Sequence, residues 1–140
     1  MPPNDPRTQL THDWLDRAER DLLLARLAIS DPSLAGLPAF HCQQAAEKAL
    51  KAYLAWCNQP PRRTHDLPAL LIQCQALEPT FAVLRPAATT LDDYLTAGRY
   101  PDSGPDPLTA EAAEALQLAE QAVALVRTQL PPDVLPELGR

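Results

Sequence analysis

Apolar residues recur at spacings of three and four along most of the chain, and proline or glycine marks the breaks between such runs. Over residues 11–30, Trp14, Ala18, Leu22, Ala25 and Ile29 make one stripe. This predicts a helix capped by Thr11 or Asp13 and ended by "SDPSLAG", with Arg17, Glu19, Arg20 and Asp21 mostly on its solvent side. A second helix is predicted over 38–58, with Pro38 in its first turn and Cys42, Ala46, Ala49, Leu50, Tyr53 and Cys57 on one face. "NQPPRRT" cannot continue it. A short third helix starts around "HDLPALL", where Asp66 can cap and Pro68 is tolerated in the first turn. A fourth carries Phe81, Leu84, Ala88, Leu91 and Leu95, and Pro86 must open it or kink it. "GRYPDSGPDPL" reads as a loop. The last helix, over 109–130, places Ala112, Leu116, Ala119, Val123, Val126 and Leu130 on one side, with Glu111 and Glu114 in its opening turns, where the helix dipole favours acids. No stretch alternates as a strand does, and nothing repeats. The expectation is an all-α, up-and-down bundle of about five helices. It forms one domain over residues 11–130, between flexible tails at 1–10 and 131–140.

Composition agrees with helices. The 140 residues are 46% hydrophobic but only 5% aromatic, and Ala and Leu dominate the apolar set. A formal net charge of −6 repels phosphate backbones, which disfavours broad nucleic-acid binding and DNA in particular, while a few converging cations can still make a local anion pocket. Cys42, Cys57 and Cys74 are odd in number and form no CxxC pair, so they read as reduced, buried thiols. Adding His12, His41 and His65 yields no i, i+4 ligand pair, and neither metal nor cofactor is expected. No apolar run reaches bilayer length and "MPPNDPRTQL" lacks a signal-peptide core, so a cytoplasmic protein without membrane contact is expected.

The second helix carries polar chemistry in close order: "FHCQQAAEKALKAYL". His41 and Lys48 are seven apart and share a flank, beside Ala45 and Ala52, whose small side chains leave room for another helix or a ligand. Gln43 and Glu47 lie on the opposite flank with Phe40. Lys51 follows Glu47 at i+4, the favourable order for an exposed pair, worth about 0.2–0.5 kcal/mol. These groups either solvate the back of the helix or line a site with partners from elsewhere. The stretches able to supply partners are "THDL", after Arg62 and Arg63, and "GRYPD", after the fourth helix. On the last helix Ala110, Ala113 and Ala124 would allow close approach between subunits.

Taken together, "FHCQQAAEKALKAYL", "THDL" and "RYPD", with the opening "WLDRAERDLLLA", resemble the HEPN domain family, named for higher eukaryotes and prokaryotes nucleotide-binding. The resemblance implies an antiparallel bundle that commonly forms a homodimer. It also implies a minimal nucleotidyltransferase as partner, often in a toxin–antitoxin pair. Toxin members are metal-independent endoribonucleases that use an arginine followed four to six residues later by a histidine. Here Arg99 is the candidate arginine, but Gly104, Pro105 and Asp106 stand where the histidine is due. Arg7 and His12 meet the spacing, but ahead of the predicted bundle. The reading that follows is a non-enzymatic nucleotide- or RNA-binding partner, with Lys48, Lys51, Arg99, Tyr100 and His65 as binding residues. A ribonuclease would need Arg99 for charge and a base from His41, His65 or Asp102. The plain alternative for "RYPD" pairs Arg99 with Asp102 and packs Tyr100 on the bundle, leaving an interaction module. Carry-over from the family also makes Tyr94 or Tyr100 a candidate acceptor of a nucleotidyl group.

Overall fold

Asp5 opens the first helix. Its carboxylate accepts from the Arg7 N–H at 3.3 Å and from the Thr8 hydroxyl at 3.1 Å. In the computed structural model, which describes residues 5–137, helix α1 therefore spans Pro6–Ala28 and begins five residues before the expected start. Thr11 is no cap: it is buried mid-helix and its hydroxyl donates to the Arg7 carbonyl at 2.8 Å. Arg7 and His12 accordingly lie within α1 and not ahead of it. The buried stripe is Leu15, Ala18, Leu22, Ala25 and Ala28, with Trp14 and Ile29 at its margins. After a 3-10 turn at Pro32–Leu34, helix α2 spans Leu37–Trp56, α3 spans Leu67–Leu77 and α4 spans Arg85–Asp92. Asp66 caps α3, accepting from the Ala69 N–H at 3.2 Å. The expected fourth helix is divided, since Phe81 and Leu84 sit in a 3-10 turn at Pro79–Leu84 and Pro86 opens α4. Helix α5 spans Thr109–Thr128, and the Glu111 side chain accepts from the Leu108 N–H at 2.8 Å.

Among the described residues there is no strand, and the five α-helices make the expected bundle. Its axis is α2, against which α1, α3, α4 and α5 all pack. One apolar face was expected on α2, but Ala39, Ala45, Ala49 and Ala52 are all fully buried, as are Cys42 and Leu54. Alanine costs little helix-axis distance, so neighbours close in from several sides. Ala45 and Ala52 share the flank of His41 and Lys48, both of which meet Asp21 of α1, so the room beside them is closed by that helix. Leu15, Leu54, Leu70, Phe81, Leu84, Leu91 and Val126 fill the core, with the Tyr53 and Phe81 rings 4.6 Å apart.

The segment expected as a loose C-terminal tail is in part docked. Val134 is buried, and Arg127 donates to the Pro136 carbonyl at 3.2 Å while pairing with Glu19 on α1. The outermost parts of both expected tails, 1–4 and 138–140, lie outside the described residues. Cys42 and Cys74 are buried and burial pushes their thiols up to about 12, so neither supplies a thiolate near neutrality. Cys57 is half-buried.

Candidate functional site

Helix α2 carries two carboxylate-centred units of the same design. In the first, Asp21 of α1 reaches across: one oxygen lies 2.9 Å from His41 Nδ1 and the other 2.7 Å from Lys48 Nζ. In the second, Glu47 of α2 holds His65 Nδ1 at 2.9 Å and Lys51 Nζ at 3.1 Å. Both carboxylates are buried, at 8% and 3% exposure, so each is neutralised where solvent cannot help. In the neutral tautomer that carries its proton on the Nδ1 facing the carboxylate, each imidazole has Nε2 as an acceptor. Lys48 and Lys51 are three apart on one helix, so the two units adjoin. Each ammonium spends one N–H on its carboxylate and keeps others for an incoming anion.

This corrects two expectations. Asp21 was assigned to the solvent side of α1, yet it is the hinge of the first unit. Glu47 and Lys51 were read as an exposed pair, yet Glu47 is buried beneath His65. Gln43, on the same flank, has no exposed surface: its amide donates to the His65 carbonyl at 3.2 Å and accepts from Gln44 at 2.7 Å. The "THDL" stretch is thus tied to α2 by both Gln43 and Glu47. Trp14 of α1 lies under the second unit, its ring centre 5.4 Å from Lys51 Nζ.

Arg99 arrives at the N-terminal end of the same strip. Its guanidinium carbon is 4.7 Å from the centre of the Phe40 ring and 5.2 Å from that of Tyr100. Phe40 in turn meets His41 edge-on, with ring centres 5.0 Å apart. Two glycines set this approach. Gly36 and Gly98 adopt φ of +90° and +70°, and a Cβ on Gly98 would stand 2.8 Å from the Gly36 carbonyl carbon. That contact lays the loop before Arg99 directly on the start of α2. The guanidinium makes no ion pair among the described residues, and its N–H edge stays available for an anion.

His41 and Lys48 thus share one unit on α2, Lys51 and His65 the adjoining one, and Arg99 with Tyr100 lies against Phe40 beside His41, with no contact among the described residues from Arg99 to either lysine. Asp102 is exposed and forms no pair with Arg99, which corrects the plain reading of "RYPD"; Tyr100 is 51% exposed and does not pack into the bundle. Arg62 and Arg63 are exposed in the loop before α3. Arg7 stacks on Trp56 at 3.7 Å and His12 lies 3.5 Å from Asp13. Tyr94 is half-buried, and burial together with Glu111, Glu114 and Asp93 raises its phenol above the ordinary value. Among the described residues no cluster of His, Cys, Asp and Glu could hold a metal ion. No described helix is long and apolar enough to cross a membrane.

Asp21 and Phe40 are the residues that sequence reasoning missed. A signal for Asp21 was present, because it falls three after Ala18 and four before Ala25, inside the buried arc of α1. An acid there requires a buried partner.

A family model described as the HEPN domain matches residues 11–129. Among solved structures, TT1696 from Thermus thermophilus is 31% identical, with 87% of this chain and 99% of that one covered and a TM-score of 0.77. ST0689, described as an archaeal HEPN homologue, is 29% identical, with 85% and 96% covered and a TM-score of 0.64. No curated protein matches the chain.

Proposed function

The chain belongs to the HEPN domain family, and from that premise we propose that the α2 strip binds the phosphates of a nucleotide or of RNA. On this reading the protein is the non-catalytic partner of a minimal nucleotidyltransferase in a toxin–antitoxin-type module. The observation that carries the proposal is the pairing of Lys48 and Lys51 with buried carboxylates, which fixes two adjacent ammonium groups on the helix whose start Arg99 overlies at Phe40. Asp21 and Glu47 fix the lysines in place, so less side-chain entropy is lost on binding. Arg99 brings a planar donor edge suited to phosphate, and the exposed Tyr100 ring offers a face on which a base can stack. A net charge of −6 makes the rest of the surface repel polyanions, so binding is local and a basic protein partner is electrostatically suited. If the partner transfers a nucleotidyl group to this chain, Tyr100 is the acceptor that fits, being exposed beside Arg99, whereas Tyr94 sits among acids.

Thermal denaturation with ATP and with a short RNA tests the reading. A ligand at 100 times its Kd stabilises by about 2.7 kcal/mol. That shift should be present in the wild type and lost in Lys48→Ala and Arg99→Ala. No shift with either ligand at millimolar concentration would refute it.

One observation favours a second reading, a metal-independent endoribonuclease. The Asp21–His41 contact at 2.9 Å orients an imidazole whose Nε2 can take a proton from a 2′-hydroxyl, with Arg99 nearby to stabilise charge on the phosphate. Cleavage of RNA in the presence of a chelator, abolished by His41→Ala, would select this reading. Intact RNA selects the first.

A further inference from the structure

The charge on each of the two α2 units depends on its imidazole. Asp21 and Lys48 carry opposite charges joined at 2.7 Å, and Glu47 and Lys51 repeat this at 3.1 Å. While His41 and His65 are neutral, each unit sums to zero, and its buried carboxylate offsets the pull of its lysine on an anion. In that state a ring that donates from Nδ1 to its carboxylate has only a lone pair at Nε2, which repels a phosphate oxygen. Taking up a proton changes both features. The unit gains a full positive charge, and Nε2 becomes a second N–H donor. Solvent can deliver that proton, since 22% of the His41 side chain and 65% of that of His65 is exposed.

The other charges around the two rings are of types that ordinarily keep their charge between pH 5.5 and 8, where imidazoles change theirs. Near His41, Arg99 lies over Phe40, Asp106 reaches Gly36 at the start of α2, and Arg17 stands one turn before Asp21 on α1. Around the neighbouring Cys42, Arg26 of α1 and Glu120 of α5 pair at 3.6 Å. Near His65, Asp66 caps α3, Asp92 of α4 accepts from the Leu67 N–H at 3.1 Å, and Arg62 and Arg63 are exposed in the preceding loop. We infer that anion binding at the two units is coupled to proton uptake by His41 and His65, so that a phosphodiester chain is held weakly at pH 8 and tightly at pH 5.5. This coupling rests on the phosphate-binding reading and supplies its regulation. By linkage, an anion that prefers the protonated rings draws protons onto them as it binds.

Calorimetric titration of the full chain with a short oligouridylate lacking terminal phosphates tests the coupling, because neither its bases nor its phosphodiesters titrate in this range. Two added charges at a partly screened site should lower the dissociation constant by about tenfold or more from pH 8 to pH 5.5. At pH 6.5, heats measured in two buffers of different ionisation enthalpy should show net proton uptake by the wild type. Glutamine keeps an N–H donor for the carboxylate and never charges. In the double variant His41→Gln, His65→Gln the same pH interval should therefore change the dissociation constant by less than about threefold. Binding that is equally tight at both pH values would overturn the coupling and leave the phosphate site standing. So would a wild-type pH response that persists in a double variant of native circular dichroism. No binding at either pH would overturn the phosphate-binding reading itself, and the coupling with it.

Discussion

At the scale of single residues, the two carboxylates are alike in design and unequal in cost. Removing one partner of a buried ion pair leaves the other charge desolvated, and the penalty grows with how little water can reach it. Lys48 retains 24% of its side-chain exposure and can turn outward when Asp21 is lost. Lys51 retains 14%, and Glu47 also holds the His65 loop. Glu47→Ala is therefore expected to destabilise by about 2–3 kcal/mol and Asp21→Ala by about 1–2 kcal/mol in urea unfolding. In a double-mutant cycle Glu47 and Lys51 should couple more strongly than Asp21 and Lys48. Equal penalties would mean that the lysines reach solvent equally well after truncation. Both acids were visible in the sequence, but their burial was not. Charge alone assigned Asp21 to water, although its place within the arc of Ala18 and Ala25 argued otherwise.

At the scale of elements, the site depends on one backbone crossing. The loop that follows α4 touches the start of α2 through Gly98 and Gly36, and this sets where Arg99 lands. Gly98→Ala adds a methyl 2.8 Å from backbone that cannot swing aside and also imposes a positive φ on alanine. Gly104 has a φ of +86° but nothing within 4 Å, so Gly104→Ala carries the backbone strain alone. Gly98→Ala should cost about 2–3 kcal/mol and Gly104→Ala about 1 kcal/mol by chemical denaturation. Gly98→Ala should also weaken nucleotide binding as Arg99→Ala does, though it removes no charge. Helices were legible from the spacing of Leu and Ala, because that periodicity is local. The crossing was not, because a glycine in a loop declares freedom of φ and not what it touches. The same limit hid the central place of α2. Its alanines at positions 45, 49 and 52 look neutral in a pattern, and only the assembled bundle makes them the surfaces on which other helices close.

At the scale of the whole molecule, a single ion pair ties the first helix, the last helix and the C-terminal segment. Arg127 binds Glu19 of α1 and also the Pro136 carbonyl, which holds the turn that buries Val134. Burial raises the Glu19 carboxyl above its ordinary value of 4.5, and this outweighs the pull of Arg127 in the other direction. A raised acid binds its proton more tightly in the folded chain than in the unfolded one, so its contribution to stability falls as pH rises from 4.5 through the folded value and is constant above it. Asp31 and Glu78 act in the opposite sense. Hydrogen bonds from Ser33 and Thr80 lower them, and their contribution is lost as pH falls through the lowered values. The total pH profile mixes these effects, but the difference between wild type and Glu19→Gln isolates the first. Glutamine keeps an acceptor for Arg127 and cannot ionise. The variant should lie close to wild type at pH 4, where the wild-type acid is itself largely protonated, and gain stability relative to it as pH rises through the folded value. Urea unfolding at intervals of half a pH unit reads that curve directly. A variant that weakens steadily toward neutral pH would show instead that the charge on Glu19, and not its shape, holds the two ends of the chain together.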